Sequence, residues 1–355
     1  MIWSTNRQPS LIGVAIDSRF LRAVQLGRAA GHWRLEAALC LPRLKPGASP
    51  DGQDVAQLAG ALARQGFRGR RIVLAVPEDT LVTDILELPP RGSGAPLEEI
   101  ARAELAHRHG YDPQAAEMAC WDLPPVSRAK AATQAMAVAC RHADAEALLE
   151  VFEGAGLEVA ALDTHLHALV RVCRPAPSEA GISAIMDVEW DWAALVLLYR
   201  GTIVYRAMIP EAAVGRLAKT LSERLHLEAD VASGLVFDAG MFTSPPVNHR
   251  EPDTATAPED AVSAFVGQHF DKVAAAMRPP VEYCCRQYAG EAAEDLLLTG
   301  HGAAVHGAAA SLQARLGVSV RPITPRDVAQ CPPTLGAKAE DPSFVVPIGL
   351  AQFPE

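Results

Sequence analysis

The chain has 355 residues, 49% of them hydrophobic, and a formal net charge of −10, which is enough to bury one or two substantial cores. The acidic balance excludes nucleic acid as a main partner, because a phosphate backbone needs a basic face. No apolar run approaches the roughly 20 residues of a membrane helix, so direct insertion into a bilayer is not expected. The seven cysteines show no C-x-x-C spacing and read as reduced thiols of a cytosolic protein, with Cys284 and Cys285 one buried and one exposed on a helix.

Leu11 to Gln25 and Trp33 to Leu41 are apolar stretches split by Gly27 and Gly31, which predicts paired strands. Val55 to Gln65 carries apolar residues at helical spacing and stops at Gly66, and Arg71 to Val76 follows as a buried strand. Such alternation predicts an α/β sheet with helices against it. From about 79 to 161 the pattern reads as strand (Leu81 to Leu88), helix (Leu97 to His109), two strands (Glu117 to Asp122, Ala135 to Cys140), helix (Asp144 to Ala155) and strand (Glu158 to Leu162). Loop composition falls at Pro89 to Gly94 and Pro124 to Ser127, and Pro175-Ala176-Pro177-Ser178 separates two halves.

The second half opens with Ile185 to Tyr205, two strands joined at Arg200-Gly201, an echo of the opening hairpin. Helices are expected at Val214 to Leu225 and Asp260 to Ala276, and the polar, proline-rich Ser244 to Glu259 between them is expected to be disordered. Leu296 to Gly307 is then an apolar strand, a glycine-rich turn and a helix. Gly300 and Gly302 permit positive φ and leave bare backbone against which a flat ligand can lie. Strand-turn-helix junctions also use glycine for purely structural reasons.

The order and spacing of several blocks resemble the actin-like ATPases of bacterial envelope machinery, specifically the PilM family of type IV pilus assembly, with FtsA a more distant relative. Gly13-Val14-Ala15-Ile16-Asp17-Ser18-Arg19-Phe20-Leu21-Arg22-Ala23-Val24 is similar to the family's phosphate hairpin G-I-D-I-G-S-S-S-V-K-A-V. Arg71 to Pro77 followed by Leu81 to Pro89 is similar to V-V-x-A-L-P then V-x-T-R-x-I-E-L-P, and Gly156 to Asp163 resembles G-L-K-P-V-A-V-D. The resemblance implies a two-lobed, actin-like (ribonuclease H-like) α/β fold. Its first lobe would be 1–78, completed by 162–180 and about 335–355. An inserted interaction subdomain of FtsA/PilM type would occupy 79–161, and the second lobe 181–334, with a smaller subdomain at about 211–285.

The same resemblance implies ATP with Mg2+, held between two hairpins that each supply an aspartate and bare glycine backbone. Here Ala15 stands at the first aspartate and Asp17 at the glycine; Asp187 keeps the second aspartate, but Glu189 replaces its glycine, and Trp190, Asp191 and Trp192 follow. A carboxylate at 4 Å from a phosphate costs on the order of 4 kcal/mol at an effective dielectric near 20. Asp17, Glu189 and Asp191 thus read as solvated acids at the mouth of a cleft, with Trp190 and Trp192 filling the vacated space. The nucleotide-binding alternative shifts the register, so that Asp17, Ser18, Arg19, Asp187, Glu189, Thr299, Gly300 and Gly302 contact the cofactor.

His107 and His109, and His165 and His167, are each two apart, which puts them on nearly opposite sides of a helix. Both pairs read as exposed helix-end histidines, and His301 as a cap on the pocket; no metal site and no catalytic residue is expected. G-x-S-x-G, G-x-x-x-x-G-K-[ST] and H-E-x-x-H are absent. The resemblance thus implies a cytoplasmic scaffold of type IV pilus or related type II secretion-like assembly, a pseudo-ATPase rather than an enzyme. It would bind the cytosolic N-terminal peptide of an inner-membrane PilN-type protein, with other platform components as further partners, and be recruited peripherally to the inner membrane. The alternative is an active actin-like ATPase whose nucleotide state switches partner binding. On the scaffold reading, Asp187→Ala leaves assembly largely intact.

Overall fold

The computed structural model describes residues 9–29, 31–47, 49–125, 133–173, 181–238, 258–289, 293 and 295–354. The break expected at 175–178 and the proline-rich stretch expected from 244, as far as residue 257, lie outside them.

Strands β1 (Ile12–Ile16), β2 (Phe20–Ala29) and β3 (His32–Pro42) form an antiparallel meander, followed by α1 (Gly52–Arg64) and β4 (Arg71–Val76). The Asp51 side chain caps α1 by accepting from the N–H groups of Gln53 and Asp54 at 2.9 and 3.0 Å. Next come β5 (Leu81–Leu88), α2 (Leu97–His109), β6 (Ala116–Asp122), β7 (Thr133–Arg141), α3 (His142–Gly154), β8 (Glu158–Thr164) and α4 (His165–Cys173). The second half holds β9 (Ile182–Val188), β10 (Ala193–Tyr199), β11 (Thr202–Met208), α5 (Val214–Leu225), α6 (Ala229–Asp238) and α7 (Pro258–Cys284). It ends with β12 (Asp295–Thr299), α8 (Ala308–Leu316), β13 (Ser319–Pro322), α9 (Pro325–Val328) and α10 (Val345–Ala351).

These strands make two five-stranded sheets of the same design, β3-β2-β1-β4-β8 and β11-β10-β9-β12-β13, and a three-stranded sheet β5-β7-β6. In each large sheet the first strand of a meander sits centrally, antiparallel to its hairpin partner and parallel to the strand that follows a crossover. The weak sequence echo between the two halves is therefore a repeat of topology. The β10–β11 turn is tight because Arg200 and Gly201 both take positive φ, 53° and 77°.

Alternation in β1 sends Ile12 and Val14 to one side, where they pack with Leu58 and Leu62 of α1 and Phe152 of α3. Leu11 and Ala15 face the other way, into the core shared with the second half. The small sheet packs Leu86, Ala135 and Ala137 against Ala101 and Leu105 of α2. Helix α7 runs past the expected end at Ala276 and through Pro279 and Pro280, because Met277 and Cys284, seven residues apart on one face, are both buried. Cys285 is buried as well as Cys284, so the expected exposed member of that pair is absent; all seven thiols are free. Every residue of α10 is buried, against β1 and α4. Among the described residues no helix is long and apolar enough to cross a membrane.

Candidate functional site

The carboxyl ends of the parallel strands in both large sheets meet at one place, the position where open α/β sheets place ligands. Asp17 follows β1, Glu78 lies just beyond β4, His165 follows β8, Asp187 and Glu189 flank the end of β9, and Thr299 to His301 close β12. The sequence separates these residues by up to 284 positions; the repeated sheet brings them together.

At the β1–β2 turn the Asp17 carboxylate folds back on its own loop. It accepts from the backbone N–H groups of Arg19 and Phe20 at 2.6 and 2.7 Å and is ion-paired with Arg22 of β2. Burial raises the Asp17 carboxyl, and the Arg22 guanidinium and the Arg19 N–H outweigh it, so that it lies below its ordinary value. The N–H groups that such a hairpin turns toward a phosphate are thus already capped by an anion of the same loop. Ser18 Oγ is buried without a partner among the described residues, and the Arg19 guanidinium stacks on the Trp190 ring at 4.1 Å.

The other fork of Arg22 reaches His301, Nη2 to Nε2, at 2.6 Å, and His301 Nδ1 lies 2.6 Å from Glu189 Oε2. A guanidinium can only donate, so Nε2 must accept and the ring proton is assigned to Nδ1, which donates to Glu189. His301 therefore bridges the guanidinium and the carboxylate.

Asp187 is fully buried: Oδ1 accepts from the Thr299 hydroxyl at 2.6 Å, and Oδ2 accepts from His165 Nε2 at 2.5 Å. Burial by itself lowers the His165 pKa, but the charge and hydrogen bond of Asp187, with Glu78 and Glu189 behind them, lift it to about 9. His165 is thus an imidazolium at neutral pH, seated edge-on against Trp192 at 4.8 Å. Beyond it, Glu78 pairs with Arg206 of β11, which also donates to Thr83 Oγ1 of β5 at 2.6 Å.

Several expectations need correction. Asp17 and Glu189 are not solvated acids; their side chains are 8% and 6% exposed and paired with Arg22 and His301, and of the three only Asp191 is exposed. His165 is buried and His167 half-buried, 2.6 Å from Thr164 Oγ1, so neither is an exposed helix-end histidine, whereas His107 and His109 are exposed on α2. The bare backbone at Gly300 and Gly302 faces protein. A methyl at 302 would lie 2.4 Å from Val188 Cβ, and one at 300, where φ is +71°, would lie 2.7 Å from Asp187 Oδ1. These glycines let the β12 turn close on β9.

Arg22 escaped the sequence reading altogether. The signal available was its place in the hairpin block, where the family sequence carries lysine inside an otherwise apolar strand.

Two sets of donor atoms, Asp17/Glu189/His301 and His165/Asp187/Glu189, are each grouped within 4.8 Å. They contact one another: both nitrogens of His301 are in use, and 2.5 Å between His165 and Asp187 is a hydrogen bond, well inside the roughly 3.3 Å at which two ligands of a tetrahedral ion stand apart. Three carboxylates (Asp17, Asp187, Glu189) are met by Arg22, His165 and His301. Arranged in this way, the residues do not fit a magnesium nucleoside triphosphate: the loop donors are capped, the retained aspartate is neutralised by an imidazolium, and protein fills the space before the glycines.

No protein-family model and no curated protein matches the chain. Among solved structures it is similar to a chain of a PilM–PilN type IV pilus biogenesis complex, at 21% identity and a TM-score of 0.74, over 96% of this chain and 97% of that one. It is also similar to the ethanolamine utilization protein EutJ of Carboxydothermus hydrogenoformans (15% identity, TM-score 0.56, 98% and 90% covered). A third is MreB5 of Spiroplasma citri bound to ADP (11%, 0.52, 96% and 94%).

The fold is actin-like. The two hairpin turns and the β12 turn lie where the two five-stranded sheets meet, so the network lies between the sheets.

Its charge state sets a pH dependence. His165 keeps its proton in the folded state up to about pH 9 and loses it near 6.5 when unfolded. The associated stability is present in full below about pH 6.5 and declines to nothing as pH rises through about 9, a loss of about 3 kcal/mol. Urea midpoints measured between pH 6 and 9.5 should fall accordingly, and Asp187→Asn should flatten the profile; a flat wild-type profile would mean His165 is neutral.

Proposed function

We propose that this chain is a scaffold of a type IV pilus or related type II secretion-like assembly platform that works without ATP turnover, on the cytoplasmic side of the inner membrane. Its partner would be an inner-membrane protein of PilN type, held through a cytosolic N-terminal peptide. The observation that carries the ATP-independent part is the Asp17 carboxylate, which occupies the hairpin N–H groups at the phosphate position. The partner class is supported by the likeness, over nearly the whole of both chains, to a chain of a PilM–PilN complex.

In this reading the interaction subdomain is the β5-β7-β6 sheet with α2, within the expected 79–161, while α3 and β8 of that stretch join the first lobe (1–78, 162–180 and about 335–355), and the second is 181–334. The Arg206 hydrogen bond to Thr83 Oγ1 at 2.6 Å, and the Trp121 Nε1–H bond to the Ile203 carbonyl at 3.0 Å, would fix the subdomain's orientation against the second lobe.

The test is thermal unfolding and calorimetric titration of nucleotide-stripped protein with MgATP and, separately, with a PilN-type N-terminal peptide. The peptide should bind with the same Kd whether or not MgATP is present, and MgATP alone should leave Tm unchanged. A nucleotide at 100 times its Kd would stabilise the fold by about 2.7 kcal/mol. Such a shift would favour a nucleotide-switched ATPase, in line with the ADP seen in the MreB5 structure. Absence of peptide binding in either condition would remove the PilN-type assignment.

A further inference from the structure

We propose that the two actin-like lobes are clasped shut by a buried side-chain network, Asp17–Arg22–His301–Glu189 with His165–Asp187–Thr299, which replaces a bound nucleotide as the element that closes the cleft.

Two links cross from one lobe to the other. Arg22, on β2 of the first sheet, joins His301 beyond β12 of the second, and His165, at the start of α4 beside the first sheet, joins Asp187 on β9 of the second. Both are buried: Arg22 is 4% exposed, His165 7%, His301 8% and Asp187 0%. At the mouth of the cleft Arg19 of the first lobe stacks on Trp190 of the second, and aromatic rings cover the links, Phe20 at 6.3 Å from His301 and Trp192 on His165.

In an actin-like cleft a polyanion and its cation bind groups from both lobes and so hold them together. This chain supplies both signs itself. The Asp17 carboxylate stands on the hairpin N–H groups in place of a phosphate oxygen, and the Arg22 and His165 cations sit among carboxylates of both halves in place of a metal ion. A forked guanidinium suits this role because its two ends can serve two acceptors at fixed geometry.

Buried charges tolerate no partial opening, since a group stripped of its partner inside the protein carries the full cost of desolvation. Separating the lobes must therefore expose the whole network to water, and cutting one link drives opening because opening is the route by which water reaches the orphaned groups. The clasp deepens the nucleotide-independent reading of the same cleft and does not depend on which partner is bound.

Hydrogen exchange of the full-length protein tests it. In wild type without nucleotide, the amides of Arg19, Phe20 and Glu189 should be strongly protected, and MgATP, Mg2+ or Zn2+ should not change that. Arg22→Lys keeps the positive charge beside Asp17 but loses the second arm to His301. It should speed exchange at those amides at least tenfold while Ile72 to Leu74 of β4 exchange as in wild type.

Arg22→Met, which removes the charge as well, should be more severe, to the point of global unfolding; Arg22→Lys then carries the decision. Cleft protection in folded Arg22→Lys equal to wild type would overturn the proposal, as would a gain of protection or Tm in wild type on adding Mg2+, Zn2+ or MgATP. Peptide binding is read separately, so loss of the PilN-type assignment leaves this result standing, and the converse holds.

Discussion

Asp187→Ala is expected to destabilise the protein by about 3–5 kcal/mol, the range for removing one partner of a buried ion pair. Asp187 is fully buried, with both carboxylate oxygens engaged by Thr299 and His165. Its removal leaves the His165 imidazolium enclosed without its counterion and the Thr299 hydroxyl without its acceptor. Against a typical total stability of about 5–15 kcal/mol, such a loss depletes the folded protein.

The expectation that this change leaves assembly intact, reasonable for an aspartate left over from a lost ATPase site, is therefore revised. Loss of pili in cells carrying it would report loss of protein and say nothing about hydrolysis. Asp187→Asn is the informative variant: an amide can accept from Thr299 and donate to a neutral His165, at a cost of about 1–2 kcal/mol. Urea unfolding of the two purified variants distinguishes them, and an Asp187→Ala midpoint within about 1 kcal/mol of wild type would contradict the burial argument.

Gly349→Ala and Gly13→Ala are expected to cost about 3 kcal/mol or more each, at the upper end of overpacking effects. Helix α10 is clamped on two sides by backbone contacts. A methyl at Gly349 would lie 2.1 Å from the Ala168 carbonyl oxygen of α4, and one at Gly13 of β1 would lie 2.1 Å from the Pro347 carbonyl oxygen of α10. Neither obstacle is a side chain that can swing away, so the helix itself must move, and its residues Val345, Ile348 and Leu350 are all buried. Gly52, with nothing within 4 Å of its missing Cβ, is the control position, where alanine should be close to neutral. Chemical denaturation of the three variants decides; a Gly349→Ala protein as stable as Gly52→Ala would show that α10 is looser than its packing implies.

Local chemistry wrote much of the fold plainly into the chain. The expected strands at Arg71 to Val76 and Leu81 to Leu88 and the helices at Leu97 to His109 and Val214 to Leu225 match the observed elements residue for residue. The helices have a periodic apolar face, β4 is a continuous apolar run buried on both faces, and α2 has a clear stop at Gly110, φ 69°. Helix α7 was underestimated because proline argues locally for an end, whereas the burial of Met277 and Cys284 that holds the helix together is a tertiary fact.

The candidate site divides in the same way. That the phosphate hairpins had changed was legible, since Ala15, Asp17 and Glu189 replace residues that the resemblance requires. What those changes accomplish was not, because the charge state of a carboxylate or an imidazole depends on neighbours that the sequence does not place beside it.

The sequence by itself determined the strand and helix succession and the loss of a bare phosphate loop, both of which depend on residues within one or two turns of each other. Only the tertiary structure decided that Arg22 would meet His301, 279 positions away, and that His165 would hold its proton beside Asp187. Closing the two sheets on one another removes water from the strand ends, and without water each buried charge must find a partner of opposite sign across the cleft.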